Sequence, residues 1–212
     1  MTYLRTAVWG PAEFVGLPPA RLVRKGVLVA VAAASAIFGT ALLGAWTGRT
    51  ALADGEAGLA VVGALVVYLV CAGAGRALVG VTALLGVCFA LQTPQAAAGV
   101  VLAERGRVQS VMVTSVEARQ SAGADADGRW LCSVTDRVGV PPGTRIWRGC
   151  DGSIRPGDAL AVVYDPQQRV PPRGVAGPGP LRGLAPWGAA LLVAGVTAVV
   201  RSYRLPGHCE AA

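Results

Sequence analysis

Charge is missing from the middle of this chain. Between Glu56 and Glu104 there is no Asp, Glu or Lys, and Arg76 is the one charged residue. Soluble domains carry charge at roughly one residue in four. Here 15% of residues are charged and 6% aromatic against 53% hydrophobic, with a mean hydropathy of +0.53. That shortage excludes an ordinary soluble domain over this stretch and points to membrane helices. Histidine is nearly absent as well, His208 being the only one. A Ser-His or Cys-His nucleophile pair would therefore have no base in the expected folded parts. There is no G-x-x-x-x-G-K phosphate loop and no H-E-x-x-H. No cofactor or metal site is expected. Lysine occurs once, as Lys25, against eighteen arginines. With abundant Ala and Gly, this suggests a GC-rich bacterial genome. The formal net charge of +7 comes without a basic stripe interleaved with aromatics, so nucleic acid is not an expected partner.

What is present is a set of apolar runs. After a Pro-bearing cytoplasmic arm (1–26), in which Trp9, Phe14 and Leu17 could rest on the interface, comes the uncharged run 27–46. About 20 apolar residues cross a ~30 Å hydrocarbon core. Ala32, Ala36, Thr40, Gly44 and Gly48 recur every four residues and suggest a close-packing helix face. A cleaved signal peptide competes for this segment, with Ala51-Leu52-Ala53 as its site. The run exceeds the roughly 7–15 residues of a signal core, so a retained helix is expected and cleavage stays as the alternative. Residues 47–56 form an outer loop and 57–75 a second span. The Gly73-Ala-Gly75 turn after it lacks the third glycine and the later acid of a dinucleotide fingerprint. A tight turn with Arg76 at the cytoplasmic face is expected instead. Residues 77–103 make a third span bent near Pro94, which membrane helices tolerate, with a re-entrant or interfacial segment as the alternative, since only about 15 apolar residues precede Gln92. Residues 184–200 form a fourth, with Ala190, Ala194 and Ala198 as its small-residue face, and 201–212 a cytoplasmic tail.

Residues 104–180 are different. Ten arginines and eight acids intermix there, as on a solvated surface. Strand signals occur at Val108–Val116, Trp130–Thr135, Arg145–Arg148 and Ala159–Tyr164, separated by Gly, Pro and Asp clusters. Such punctuation predicts a small all-β domain, a sandwich or an OB- or SH3-like barrel, joined by a Gly/Pro linker at 174–180. Asp151, Asp158 and Asp165 sit at turns, where aspartate is locally favoured.

Arg21, Arg24 and Lys25 place the N-terminus inside by the positive-inside rule. Three crossings then put the β-domain outside. Arg76, Arg201 and Arg204 return to the cytoplasmic side. Cys132 and Cys150 are the only cysteines of the polar domain. Outside the membrane such a pair persists as a disulfide, with two unrelated buried thiols as the alternative.

The segments Gly106-Arg-Val108, Cys132–Asp136, Trp147–Cys150 and Ile154–Pro166 resemble the β-domain of an uncharacterised family of multi-span membrane proteins. These are bacterial, mainly actinobacterial, with domains that begin G-x-V and end G-D-x-V-x-V-x-Y-D-P. The ending is also similar to the OB-like barrel of NfeD-type membrane proteins, although here a span follows and Gln167–Pro172 replaces the usual tail. The resemblance covers about a third of the chain and implies a fold and a location, without a reaction.

The expected protein is a multi-pass cell-membrane protein and not an enzyme. Its β-domain would be an extracytoplasmic binding or scaffolding module, with an accessory subunit of a membrane enzyme or protease complex as the alternative. Its expected partners are the lipid bilayer and another membrane or envelope protein. Trp130, Trp147 and Tyr164 are the candidate contact surface, a core role being the competing reading.

Overall fold

A computed structural model describes residues 18–119, 129–135, 144–146, 149–175, 179 and 181–202. The arm to residue 17, the turn signals at 123–128 and 141–143, Trp147, Arg204 and the tail with His208 lie outside the described residues. The chain divides into two compact units, one of helices up to Ala97 and from Leu181 on, the other from Ala98 to Pro180.

The helical unit contains α1 (Ala20–Thr47), a single turn α2 (Thr50–Ala53), α3 (Glu56–Cys71), the first part of α4 (Arg76–Arg105) and α5 (Ala185–Arg201). Of these, α1 and α4 are long and apolar enough to cross a membrane. Helix α1 begins at Ala20, earlier than expected, so Arg21, Arg24 and Lys25 lie inside its first two turns. Helix α3 stops at Cys71, and residues 72–75 form the turn before Arg76, the first residue of α4. Helix α4 runs unbroken through Pro94. Proline supplies no N–H to the carbonyl of residue 90. On the neighbouring turn, the buried Thr93 hydroxyl donates to the Phe89 carbonyl at 2.6 Å. Gly55, at φ 91°, lies beside this site. A Cβ there would stand at ordinary contact distance from Pro94 Cγ, 3.4 Å, and the Ala90 carbonyl oxygen, 3.5 Å, so it is the backbone conformation that calls for glycine.

Close contacts set the order of the helices. Gly26 lies against Val196 and Val199, and Gly195 against Ala30. Gly58 touches both Ile37 and Ala90, Gly86 touches Val62, and Gly188 touches Phe89. Neighbours therefore run antiparallel. The start of α1, the α3–α4 turn and the end of α5 lie at one end of the unit. The buried face of α1 is Gly26, Ala30, Ala33, Ile37, Ala41, Gly44 and Ala45. This corrects the expected face, since Ala32 and Ala36 are exposed. A strict spacing of four drifts around a helix of 3.6 residues per turn. The real face mixes steps of four and three and centres on Ile37, the one large side chain in it. Likewise α5 buries Leu191, Gly195, Ala198 and Val199, of which only Ala198 was expected.

The second unit holds one antiparallel sheet in the order β3-β2-β1-β4-β5. Its strands are β1 (Arg107–Arg119), β2 (Arg129–Thr135), β3 (Thr144–Ile146), β4 (Ala159–Tyr164) and β5 (Arg173–Gly174). The all-β expectation holds at the level of an open half-barrel; the described strands form a single sheet and not a sandwich. Strand β5, which carries no strand-like composition, was not expected. Strand β1 serves two partners. Its first half pairs with β4 from Arg107↔Tyr164 to Met112↔Ala159. Its second half pairs with β2 from Met112↔Thr135 to Arg119↔Arg129. The register breaks between Val113 and Ser115, leaving Thr114 as an extra residue. An extra residue shifts the inward phase by one, so Val111 and Val113 point in before it and Val116 after it. These valines pack with Cys132, Val134, Ile146 and Val162 in the core.

Candidate functional site

No single cleft collects the predicted residues. Three local arrangements do most with the charges, the cysteines and the aromatics.

The first is at one end of the helical unit. Arg21, Arg24 and Lys25 at the start of α1 and Arg76 at the start of α4 are exposed, and Arg201 at the end of α5 is half-buried. The helix order brings all of them to the same end. A helix N-terminus carries partial positive charge, so Arg21 and Arg76, in the first turns of α1 and α4, cost about 0.3–1 kcal/mol each, an effect that has faded by Arg24 and Lys25. Local helix energetics therefore do not favour Arg21 and Arg76 where they stand. Arg204 lies outside the described residues.

The second is the corner of the sheet around Cys132. Cys132, fully buried on β2, is bonded to Cys150, with Cα atoms 5.9 Å apart. The chain leaves Cys150 through tight turns. The Asp151 carboxylate accepts from the Ser153 N–H at 2.8 Å and from the Ser153 hydroxyl. The Ser153 hydroxyl, then the Ser153 and Ile154 N–H groups, hold the Asp151 carboxyl below the ordinary aspartate value. The Asp158 carboxylate accepts the Arg155 N–H at 2.8 Å. Gly152 faces the Trp130 indole, and a Cβ there would stand 2.9 Å from Trp130 Cζ2. The half-buried Trp130 therefore lies against the cross-linked turn.

The third joins the end of α4 to the turn after β4. The Asp165 carboxylate is buried and accepts the Gln167 and Arg169 N–H groups at 3.0 and 3.2 Å. Arg105 Nη2 lies 3.7 Å from it, and Arg105 Nη1 donates to Gln167 Oε1 at 3.2 Å. Between them, Gly106 passes so close to the Leu102 carbonyl and Val163 that a Cβ would collide with both.

Of the candidate aromatics, Trp130 and Tyr164 are not brought together. Trp130 pairs with Ala118 and Tyr164 with Arg107, at opposite ends of β1, on the order of 35 Å apart along an extended strand. Tyr164 packs against the sheet core. Trp147 lies outside the described residues. Sequence reasoning took Asp165 for a plain turn residue and missed its pairing with Arg105. The Tyr-Asp-Pro sequence signals the turn, but a partner sixty residues away has no local mark. No cluster of three or more metal-ligating side chains occurs among the described residues. Comparison with family models, curated proteins and solved structures finds no match to this chain.

Proposed function

We propose that this chain is an integral inner-membrane protein of bacteria in which α1, α3, α4 and α5 cross the bilayer. Its cationic end faces the cytoplasm. Its β-domain is extracytoplasmic and acts as a non-enzymatic binding or scaffolding module, with the bilayer and a further membrane or envelope protein as partners. One observation carries this reading. The cations of three helix ends gather at one end of the helical unit, and three apolar helices, α1, α3 and α4, precede the disulfide-bearing domain in the chain. Positive residues collect on the cytoplasmic side, and disulfides persist on the oxidising side, so two unrelated rules agree.

The helix surfaces support it. Leu28, Leu43, Val67, Leu84, Leu91 and Val193 are 59–68% exposed, apolar area that lipid accepts and water penalises. Helices α3 and α5, of 16 and 17 residues, are about 24 to 26 Å long, slightly short of the hydrocarbon core. Local thinning of the bilayer accommodates that.

Maleimide labelling of Cys132 and Cys150 in intact cells tests the topology. Labelling should require prior treatment with a membrane-impermeant reductant. Labelling that needs only lysis would place the domain in the cytosol and defeat the proposal.

A further inference from the structure

A sheet with its core on one face is normally polar on the other. Along β1 this is true of only one half. Beyond the irregularity the outward residues are Ser115 and Glu117, paired with Ser133 and Leu131, with Arg145 next to Ser133. Before it they are Val108, Ser110 and Met112, paired with Val163, Ala161 and Ala159. Val175 extends this face, its N–H donating to the Ala161 carbonyl at 3.0 Å. Val108, Met112 and Val175 are 68%, 58% and 50% exposed. Contiguous exposed apolar surface of this kind marks a contact.

The position of the patch identifies the contact. It is confined to the half of β1 that leaves α4 through one residue, Gly106. Val163, in its first row, lies against the last turn of α4. Val108 is three residues past Arg105, within about 11 Å even if fully extended. Arg173 shares the outer face with Val163 and Val108 by register. An apolar face with a flanking arginine suits the boundary between acyl chains and phosphate headgroups. A partner protein gives no reason for apolarity to fade with distance from the helix end; a lipid surface does.

We propose that the β1–β4–β5 half of the outer face lies on the membrane into which α4 runs, with Val108, Met112 and Val175 in the interfacial layer. The polar half of the sheet stays in water. The inference rests on the membrane reading above, and its test separates the two.

Spin labels are placed on Val108→Cys and Met112→Cys in the full chain, with Cys71, Cys88 and Cys209 replaced by Ala and the Cys132–Cys150 bond kept. The protein is reconstituted in phosphatidylcholine–phosphatidylglycerol vesicles, and collisions with oxygen and with a water-soluble nickel chelate are compared. Formation of the native disulfide reports that each variant has folded. Leu84→Cys serves as the lipid reference and Glu117→Cys as the aqueous one. The oxygen-to-nickel ratio at residues 108 and 112 should rise well above that at 117 toward that at 84. Ratios equal to residue 117 overturn the inference while leaving the spans intact. Dipolar broadening with low access to both reagents shows a second copy on the face and also overturns it. An aqueous ratio at residue 84 removes the membrane reading itself.

Discussion

Arg105 Nη2 stands 3.7 Å from the carboxylate of Asp165, whose side chain is fully buried. Arg105 is the last residue of α4, and Asp165 opens the turn after β4. The carboxylate accepts two backbone N–H groups and stands within ion-pair range of Arg105. Asp165→Ala would remove the acceptor of the Gln167 and Arg169 N–H groups and the ion-pair partner of Arg105. Each lost donor pairing costs about 1–3 kcal/mol, so a loss of roughly 2–6 kcal/mol is expected. Arg105→Ala removes this long contact and the hydrogen bond to Gln167 Oε1 and leaves the backbone donors in place, at about 1 kcal/mol. Thermal unfolding of both variants in detergent measures the order. A larger loss for Arg105→Ala would show that the pair, and not the turn, holds this corner.

The Cys132–Cys150 bond closes a loop with a sequence separation of 18. Chain entropy for a loop of this size contributes roughly 3 kcal/mol. Cys150→Ala should lower the stability of the β-domain by about that amount and expose Cys132 to thiol reagents. Limited proteolysis across residues 104–180 reads the change, and the helical segments should keep their protection.

Gly152→Val places a branched side chain where a Cβ alone would stand 2.9 Å from the Trp130 ring. The indole must move, at an expected cost of about 1–3 kcal/mol. Its emission should shift toward longer wavelength as the ring becomes wetter. Unchanged emission would show that the turn, and not the ring, had given way.

Acid should loosen the turn from Cys150 to Asp158. The Asp151 carboxyl is held below its ordinary value by the Ser153 hydroxyl and N–H. A depressed aspartate stabilises the folded form above its unfolded value, near pH 4, and this contribution disappears as pH falls through the folded value. Ser153→Ala should move the carboxyl titration back up. A carbon-detected NMR titration of Asp151 in both proteins measures it. Identical midpoints would remove Ser153 as the cause.

Helix packing can be checked by a paired substitution. Gly26→Val drives a branched side chain into the backbone of Val196, where a Cβ would already stand 3.2 Å from its Cα. A loss of about 1–3 kcal/mol is expected. Ala32→Leu and Ala36→Leu, on the exposed side of α1, should be near neutral in melting temperature. The reverse ranking would restore the face that strict four-residue spacing suggests.

The amino-acid order alone marks most of the helices and strands, the short α2 and β5 excepted. The uncharged runs, the Val-rich stretches at 108–116 and 159–164, the alternation at 130–135 and the Gly/Pro/Asp turns are local features, and most elements follow them, although α1 starts seven residues early. The cysteine pair was also legible, because only two cysteines share the polar domain. Which face of α1 packs, where β1 changes partner, that Asp165 meets Arg105, and that Trp130 and Tyr164 stand apart were decided by the tertiary structure. Those outcomes depend on distances between residues far apart in sequence, and a side chain carries no record of its remote neighbours. The apolar outer half of the sheet lies between the two kinds. Its Val and Met are plain in the sequence, but only the register of β1 with β4 turns them onto one surface.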